Sequence, residues 1–199
     1  NRELALTNIV DVWTLMAGAK PLPALRHKVV SDFDAKEELG LKHNRINIAM
    51  QPGSADPHRR WPAEHFINFA QQINQHIPAR FVVIGSKDEN KLCSEIVAGI
   101  GDDALNAAGY NLVETSKILG CSKLLLTGDT GPMHLAALLG VRIIALFFGR
   151  TIPSETGPYA NQAISLLAPV PDTLPDHRSE TQNATAPQAI RPEFAVNAA

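Results

Sequence analysis

The apolar positions of this chain fall into short, solid runs that alternate with stretches of helical spacing. Between the runs, apolar side chains recur every three or four positions, as Phe66, Phe69 and Ile73 do, which predicts amphipathic helices. Strands that are apolar without alternation are buried on both faces, so the pattern predicts an α/β domain with a doubly wound parallel sheet. The predicted strands are 46–50, 80–85, 104–109, 123–128, 142–149 and 163–167.

The flanks of these runs have a different character. Residues 1–45 contain one helical stripe, at 3–18, and a polar connector, while residues 169–199 are rich in Pro, Ala, Asn, Thr and Gln. We therefore predict a helix with a connector at 1–45, the α/β domain at 46–168 and a flexible tail at 169–199, whose last ten residues have features of a helix start. Because the chain begins with Asn1 rather than Met, we expect it to be part of a larger protein.

Composition narrows the function classes. An apolar fraction of 45% and a charged fraction of 19% are typical of a globular domain. The formal net charge of −2 gives no indication of a nucleic-acid partner, and no apolar run approaches the ~18–20 residues that span a bilayer. The histidines lack metal-ligand spacing, so no metal site is predicted. Neither a P-loop nor a G-x-G-x-x-G motif is present.

Polar and conformationally special residues gather in the segments that follow four of the predicted strands. These segments are 52–61, 85–89, 129–134 and 149–159. Ligands of doubly wound domains bind beyond the carboxyl ends of the strands. The four segments are therefore the candidate binding loops.

The loop after the fourth strand reads DTGPMH and opens a helix. Gly131 is the predicted N-cap and Pro132 the first helical residue, so free N–H groups and the helix dipole suit a phosphate there. The Thr130 hydroxyl and the His134 ring can donate to an anion, and Asp129 can accept from a sugar hydroxyl or orient the histidine. A plain helix cap with a surface histidine is the simpler alternative. The three other polar loops at the same edge favour the binding interpretation.

Four further residues are candidates on chemical grounds. Arg59 and Arg60 follow a Gly-containing turn and suit pyrophosphate oxygens, and we expect one of them to bind and the other to be structural. Glu89 can accept from ribose hydroxyls or, equally, can favour a helix dipole. Tyr110 can stack on a base or can simply pack against the core.

The chain resembles a known family at these residues. The segments "PGSADPHRRWPAEHF", "VVIGSKDE", "GDTGPMHLAALLG", "ALFFGRT" and "TGPYA" are similar to the carboxyl-terminal domain of lipopolysaccharide heptosyltransferases, which form glycosyltransferase family nine. The resemblance covers residues 46–160. It implies the GT-B architecture, with two Rossmann-like domains: the carboxyl-terminal domain holds the ADP-heptose donor, and the amino-terminal domain holds the acceptor and a catalytic aspartate.

Carried over residue by residue, the resemblance assigns donor-binding roles. It puts Arg59 on the phosphates, where the family usually has lysine, Glu89 on the nucleotide and Tyr110 beside the adenine. The donor motif covers Asp129, Thr130, Gly131, Pro132, Met133 and His134. Two departures are evident: residues 1–45 are too short for the amino-terminal domain, and Arg150 stands where the family usually has proline.

The resemblance thus predicts the donor-binding half of an enzyme that transfers heptose from ADP-heptose to a lipopolysaccharide core acceptor. It implies no catalytic residue in this chain, because the base is expected in the missing amino-terminal domain, and no metal or cofactor. It also implies a cytoplasmic protein, peripheral to the inner face of the cytoplasmic membrane, with a lipid-linked saccharide as partner. A non-catalytic nucleotide-binding module and a transferase of another NDP-sugar are the alternatives.

Overall fold

A computed structural model describes residues 8–19, 34–41, 45–148, 151–160, 162–168 and 186–199. Within these ranges the strands are β1 (Ile46–Gln51), β2 (Ala79–Gly85), β3 (Ala104–Ala108), β4 (Leu124–Gly128), β5 (Arg142–Phe147) and β6 (Ala163–Leu167). The helices are α1 (Ile9–Met16), α2 (Ala35–Glu38), α3 (Ala63–His76), α4 (Asn90–Ile100), α5 (Leu112–Gly120), α6 (Gly131–Leu139), α7 (Pro153–Thr156), α8 (Ala186–Ala189) and α9 (Pro192–Ala198).

The six strands form one sheet in which every described pairing is parallel. Their order is β3-β2-β1-β4-β5-β6. The chain starts in the middle of the sheet, moves outward to β3, and then crosses back to β4 beside β1. The predicted α/β class and all six predicted strands are confirmed, with bounds that differ by no more than two residues.

The sheet separates two apolar cores, which explains why the strands lack polar alternation. Alternate residues of one strand point to opposite faces. On one face, Ile48 and Met50 pack with residues of α3, α4 and α9. On the other, Ala49 packs with residues of α2, α5 and α6. A strand covered on both faces must be apolar at nearly every position.

Residues 186–199, at the carboxyl-terminal end of the chain, pack against the sheet domain at two points. The Trp61 indole Nε1 donates to the Ile190 carbonyl oxygen at 2.7 Å, and both residues are buried. The α9 helix lies on α3 and buries Ala195 completely. The predicted flexible tail is therefore wrong for residues 186–199, because a short apolar stripe packs into a groove that composition cannot reveal. The helix start predicted in the last ten residues agrees with α9. Residues 169–185 lie outside the described ranges, as do residues 3–7 of the helix predicted at 3–18.

The α1 helix contacts the segment that follows β5. The Asn8 side-chain amide donates to the Gly157 carbonyl oxygen at 3.1 Å, and the Tyr159 hydroxyl donates to Asp11 Oδ1 at 2.6 Å. This hydrogen bond to Asp11, more than burial, raises the pKa of Tyr159. None of the described helices is long and apolar enough to cross a membrane.

Candidate functional site

The candidate site lies where the direction of chain progression in the sheet reverses. β1 and β4 are neighbours, yet α3 leaves β1 toward one face and α6 leaves β4 toward the other. The two departing loops therefore separate and leave a crevice at the carboxyl ends of these strands. Ligands of open α/β sheets bind in this crevice. The loops that bound it are 52–62 and 129–131.

The loop after β1 is held in place by its own backbone and by Arg60. Ser54 is buried, and its carbonyl oxygen accepts from Arg60 Nε at 2.8 Å and from Nη2 at 2.6 Å. The Asp56 carboxylate accepts from the His58 N–H at 2.9 Å and starts a short 3₁₀ turn at Pro57–Arg59. Arg60 therefore has the structural part that we expected of one of the two arginines.

Arg59 crosses the crevice and pairs with the loop after β4. Its Nη2 donates to Asp129 Oδ2 at 2.6 Å and to the Asp129 carbonyl oxygen at 3.1 Å. The Asp129 side chain is 13% exposed and that of Arg59 33% exposed, so the pair is partly shielded from water. Within the described part of the chain, Nη2 is the only guanidinium nitrogen of Arg59 that donates a hydrogen bond. The other N–H groups of the fork can meet an anion.

The first turn of α6 begins one residue earlier than predicted. Thr130 is the N-cap, with extended backbone angles, and Gly131 is already helical. The prediction of Gly131 as the N-cap was wrong. Proline is tolerated at the second helical position as well as at the first, because an N–H group at either position has no helical acceptor four residues earlier. Pro132 has no N–H, so the Gly131 N–H is the first-turn donor nearest the crevice.

The Thr130 side chain does not cap its own helix. Its hydroxyl lies 3.1 Å from Gln51 Oε1 and 3.2 Å from the Thr127 hydroxyl, and no side-chain hydrogen bond closes the helix start. Gln51 and Thr127 are register partners at the ends of β1 and β4, and both are buried. These three polar groups join the two strands beneath the crevice and hold the helix start open toward it.

Two members of the predicted motif point in opposite directions. The Met133 side chain is 0% exposed and packs in the core with Ala136, and its predicted place in the donor-binding motif stays a prediction. Its N–H donates to the Thr130 carbonyl oxygen at 3.1 Å. His134 is exposed in the first turn of the same helix. Helical rotation places one residue against the sheet and the next toward solvent.

Glu89 lies in a cradle formed by two glycines. Its Oε2 accepts from the Ser86 N–H at 2.7 Å and closes a capping box. A Cβ built on Gly53 would stand 1.7 Å from Glu89 Oε1, and a Cβ on Gly85 would stand 3.1 Å from Oε2. The loops after β1 and β2 can approach this closely only because both positions lack side chains. Glu89 therefore faces the loop that carries Arg59 and Arg60.

A buried thiol lies beside the end of β2, next to Gly85. Cys93 is 0% exposed, and burial, with a smaller contribution from the Glu89 charge, raises its pKa to about 12. The thiolate is the nucleophilic form of cysteine, so Cys93 stays inert at neutral pH.

Tyr110 follows β3 and packs half-buried against the core on the α5 and α6 face. This contact agrees with the packing alternative and leaves its predicted place beside adenine untested. Arg150, the departure from the family pattern, lies outside the described residues. In the described part of the chain, no group of three His, Cys, Asp or Glu side chains is arranged to hold a metal ion.

The sequence analysis missed Gln51, Gly53 and Thr127. The available signal was a polar residue at the end of an apolar run, in QPG at the end of β1 and in TG at the end of β4. Polar side chains that end buried strands at the ligand-binding edge need partners there, and these residues supply them to each other. Such a pairing joins residues 76 positions apart, so spacing along the chain could not reveal it.

The assembled geometry suits a phosphate-containing ligand. The Arg59 guanidinium, paired with Asp129, and the uncapped start of α6 border one crevice, and the helix that starts there has an exposed histidine in its first turn. Glu89 contacts the loop that carries the arginine. Guanidinium groups and helix N-termini both favour phosphate oxygens. Carboxylates are acceptors for hydroxyl groups, such as those of a sugar.

Comparisons with known proteins agree with this geometry. The family described as glycosyltransferase family 9 (heptosyltransferase) matches residues 14–185. Lipopolysaccharide heptosyltransferase 2 of Salmonella typhimurium is 32% identical over 133 residues, which are 63% of this chain and 37% of that protein. The solved Escherichia coli ADP-heptose lipopolysaccharide heptosyltransferase II superposes with a TM-score of 0.72 at 25% identity, over 89% of this chain and 54% of that one.

A second solved relative gives the same result. The glycosyl transferase family 9 protein of Veillonella parvula superposes with a TM-score of 0.73 at 26% identity, over 87% of this chain and 52% of that one. The chain thus spans about half the length of these solved relatives and less than half of the Salmonella protein. Since the family match extends over most of its length, the chain belongs to glycosyltransferase family 9, the heptosyltransferase family.

Proposed function

We propose that this chain is the ADP-sugar-binding part of a GT-B heptosyltransferase that transfers heptose from ADP-heptose to a lipopolysaccharide core acceptor. The observation that carries the proposal is the convergence of the Arg59 guanidinium and the uncapped start of α6 at the sheet crevice. Family membership and relatives named as lipopolysaccharide heptosyltransferases support the choice of donor and acceptor.

In this reaction an acceptor hydroxyl attacks the anomeric carbon of heptose. The bond from that carbon to the β-phosphate oxygen breaks, and its electron pair leaves with ADP. Negative charge therefore grows on the departing phosphate. Arg59, the Gly131 N–H and His134 would stabilise that charge, and such preorganised donors are among the largest contributions to catalysis.

Asp129 has two parts in this proposal. Its carboxylate holds Arg59 Nη2, which fixes the plane of the guanidinium before the donor arrives. Its second oxygen is available to a sugar hydroxyl. We assign deprotonation of the acceptor to a base in a partner domain outside this chain, and no metal or cofactor to the reaction, because the cationic groups can serve the phosphates.

The acceptor of such a transferase is lipid-linked. We therefore also propose that the whole protein works as a peripheral protein at the inner face of the cytoplasmic membrane. A lipid flotation assay of the full-length protein tests this part separately. Recovery away from lipid that contains the acceptor would contradict it.

Calorimetric titration of the chain with ADP, UDP and GDP tests the donor assignment. We expect ADP alone to bind, with weaker binding after Asp129→Ala and after His134→Ala, and no change on adding EDTA. Preference for UDP or GDP would retain the family and exclude ADP-heptose as donor. The full-length protein mixed with donor and acceptor then separates a transferase from a non-catalytic binding module, which would bind the nucleotide and leave it intact.

A further inference from the structure

The end of the sheet opposite the candidate site contains a pocket of about 400 Å³. We call it the basal pocket, and its apolar walls are Ile46, Ile48, Ile73, Ile77, Leu124 and Val196. They come from the starts of β1 and β4, the carboxyl end of α3 and the face of α9. Its volume lies within the ~300–1,000 Å³ that is usual for small-molecule sites. Because it lies at the other end of the strands, it does not belong to the site described above.

The floor of the basal pocket is continuous with the main core. Ile48 and Ile73 are 2% and 5% exposed, and both belong to the core cluster between the sheet and α3. Ile46 and Ile77 stand at the mouth, where they are 37% and 39% exposed. An apolar chain that enters here would cover side chains that now meet water. Burial of such surface is the general driving force for apolar ligands.

The rim of the pocket is cationic. Lys123 immediately precedes β4, and Arg142 begins β5 as the register partner of Leu124, so both cations stand at the start of neighbouring strands. Both are exposed, and in the described part of the chain neither makes an ion pair. His76 lines the pocket from α3, and no acidic side chain lines it. Ala199 lines it from the end of α9 and, in the described part of the chain, makes no ion pair with either cation. The pocket therefore combines an apolar interior with an entrance that favours anions.

We propose that the basal pocket binds a single-chain amphiphile with an anionic headgroup. The alkyl chain lies against Ile48, Ile73 and Val196, and the phosphate or carboxylate head lies between Lys123 and Arg142. Charge complementarity selects an anionic head over a cationic one. The pocket volume selects one alkyl chain. This site is separate from the nucleotide crevice and does not depend on the function proposed above.

Titration with alkyl phosphates below their micelle concentrations tests the proposal. Decyl phosphate should bind with one molecule per chain and shift the methyl NMR signals of Ile48, Ile73 and Val196. Hexyl, octyl and decyl phosphate should bind progressively more tightly, about two- to fourfold for each methylene that enters the pocket. Decyltrimethylammonium is the matched probe with the same chain and the opposite charge, and it should bind at least severalfold more weakly.

Two kinds of variant test the headgroup contacts and the alkyl-chain contacts separately. Lys123→Gln with Arg142→Gln should weaken decyl phosphate by about threefold to tenfold, because exposed charge pairs contribute little individually. Lys91→Gln, an exposed lysine on α4, is the matched control and should change nothing. Val196→Trp should fill the pocket and abolish binding. Urea unfolding curves and far-ultraviolet circular dichroism show whether each variant remains folded.

Several results would overturn the proposal. One is equal binding of the cationic and anionic probes, and another is the absence of binding by decyl phosphate below its micelle concentration. Methyl shifts spread over the surface, or centred on the exposed apolar side chains of α1, would indicate detergent adsorption instead. Self-association that Val196→Trp prevents would show that a second copy of the chain occupies the pocket, and this too would reject an amphiphile site.

Discussion

Two helices that leave the same sheet toward the same face begin in opposite ways. α5 follows β3, and its first turn is closed: Asn111 accepts from the Glu114 N–H at 3.0 Å, and Glu114 accepts from the Asn111 N–H at 2.8 Å. α6 follows β4, and no side chain caps it, because Thr130 turns to Gln51. A helix start closed by its own side chains contributes stability, whereas an open one leaves donors for a ligand.

Position in the sheet explains the difference. β3 is an edge strand, two strands away from β1, so the start of α5 stands away from the point where the strand order reverses. β4 adjoins β1 at that point, and the start of α6 faces the loop that carries Arg59. The open start coincides with the one crevice that the topology creates in the described sheet. If the open start of α6 serves a ligand, substitutions there should weaken ligand binding. Substitutions at the closed start of α5 should instead lower the free energy of unfolding.

The largest effect is expected at Arg59. Replacing it with alanine removes charge-assisted hydrogen bonds to the phosphates and leaves the Asp129 carboxylate unpaired beside them, so ADP affinity should fall about tenfold to hundredfold. Arg59→Lys keeps the charge and should retain most of the affinity. Calorimetry with ADP and with AMP measures both effects. If Arg59→Ala binds ADP as tightly as the parent chain does, Arg59 does not contribute to ADP binding at the uncapped start of α6.

Gly53→Ala tests how closely the loops after β1 and β2 must approach. The new methyl group would displace the Glu89 carboxylate, which lies 1.7 Å from the ideal Cβ position, and break its bond from the Ser86 N–H. We expect a loss of about 1 kcal/mol in the free energy of unfolding, which is typical of a lost helix-start bond, and severalfold weaker ADP binding.

A double-mutant cycle isolates this clash. In a Glu89→Ala background the same Gly53→Ala change should cost almost nothing, because the group it meets is gone. Urea unfolding of the four proteins measures the coupling. Equal costs in both backgrounds would place the effect in the β1 loop itself and not in its contact with Glu89.

Asn111→Ala removes the side-chain cap of α5, and we expect it to lower stability without changing ligand affinity. Loss of the N-cap bond should lower the free energy of unfolding by about 1 kcal/mol, and ADP affinity should remain unchanged. Urea unfolding and calorimetry on the same preparation check both. Asn111→Asp keeps an acceptor at the cap and should restore most of the stability. A clear loss of ADP affinity on Asn111→Ala would mean that α5 also belongs to the binding site.

The sequence shows the local signals of these elements, but it does not show which elements contact each other in the fold. Solid apolar runs marked all six strands, and Glu114 stands three positions after Asn111, which is the spacing of the capping box seen at the start of α5. The pair of Arg59 with Asp129 joins residues 70 positions apart and depends on β1 and β4 becoming neighbours. The return of 186–199 to Trp61 depends likewise on a groove between elements. Local propensity contains no information about such contacts, so the polar loops at the strand ends and the motif resemblance indicated the region of the site but not its pairs.

The smallest effect is expected at His134, the exposed member of the open start. Its side chain stands in the first turn of α6, so His134→Ala should leave the free energy of unfolding within ~0.5 kcal/mol, as is usual for exposed positions. ADP affinity should fall about two- to fivefold, because one exposed donor to a phosphate is lost. A loss of stability with no change in affinity would reverse the comparison, since α6 would then behave as α5 does.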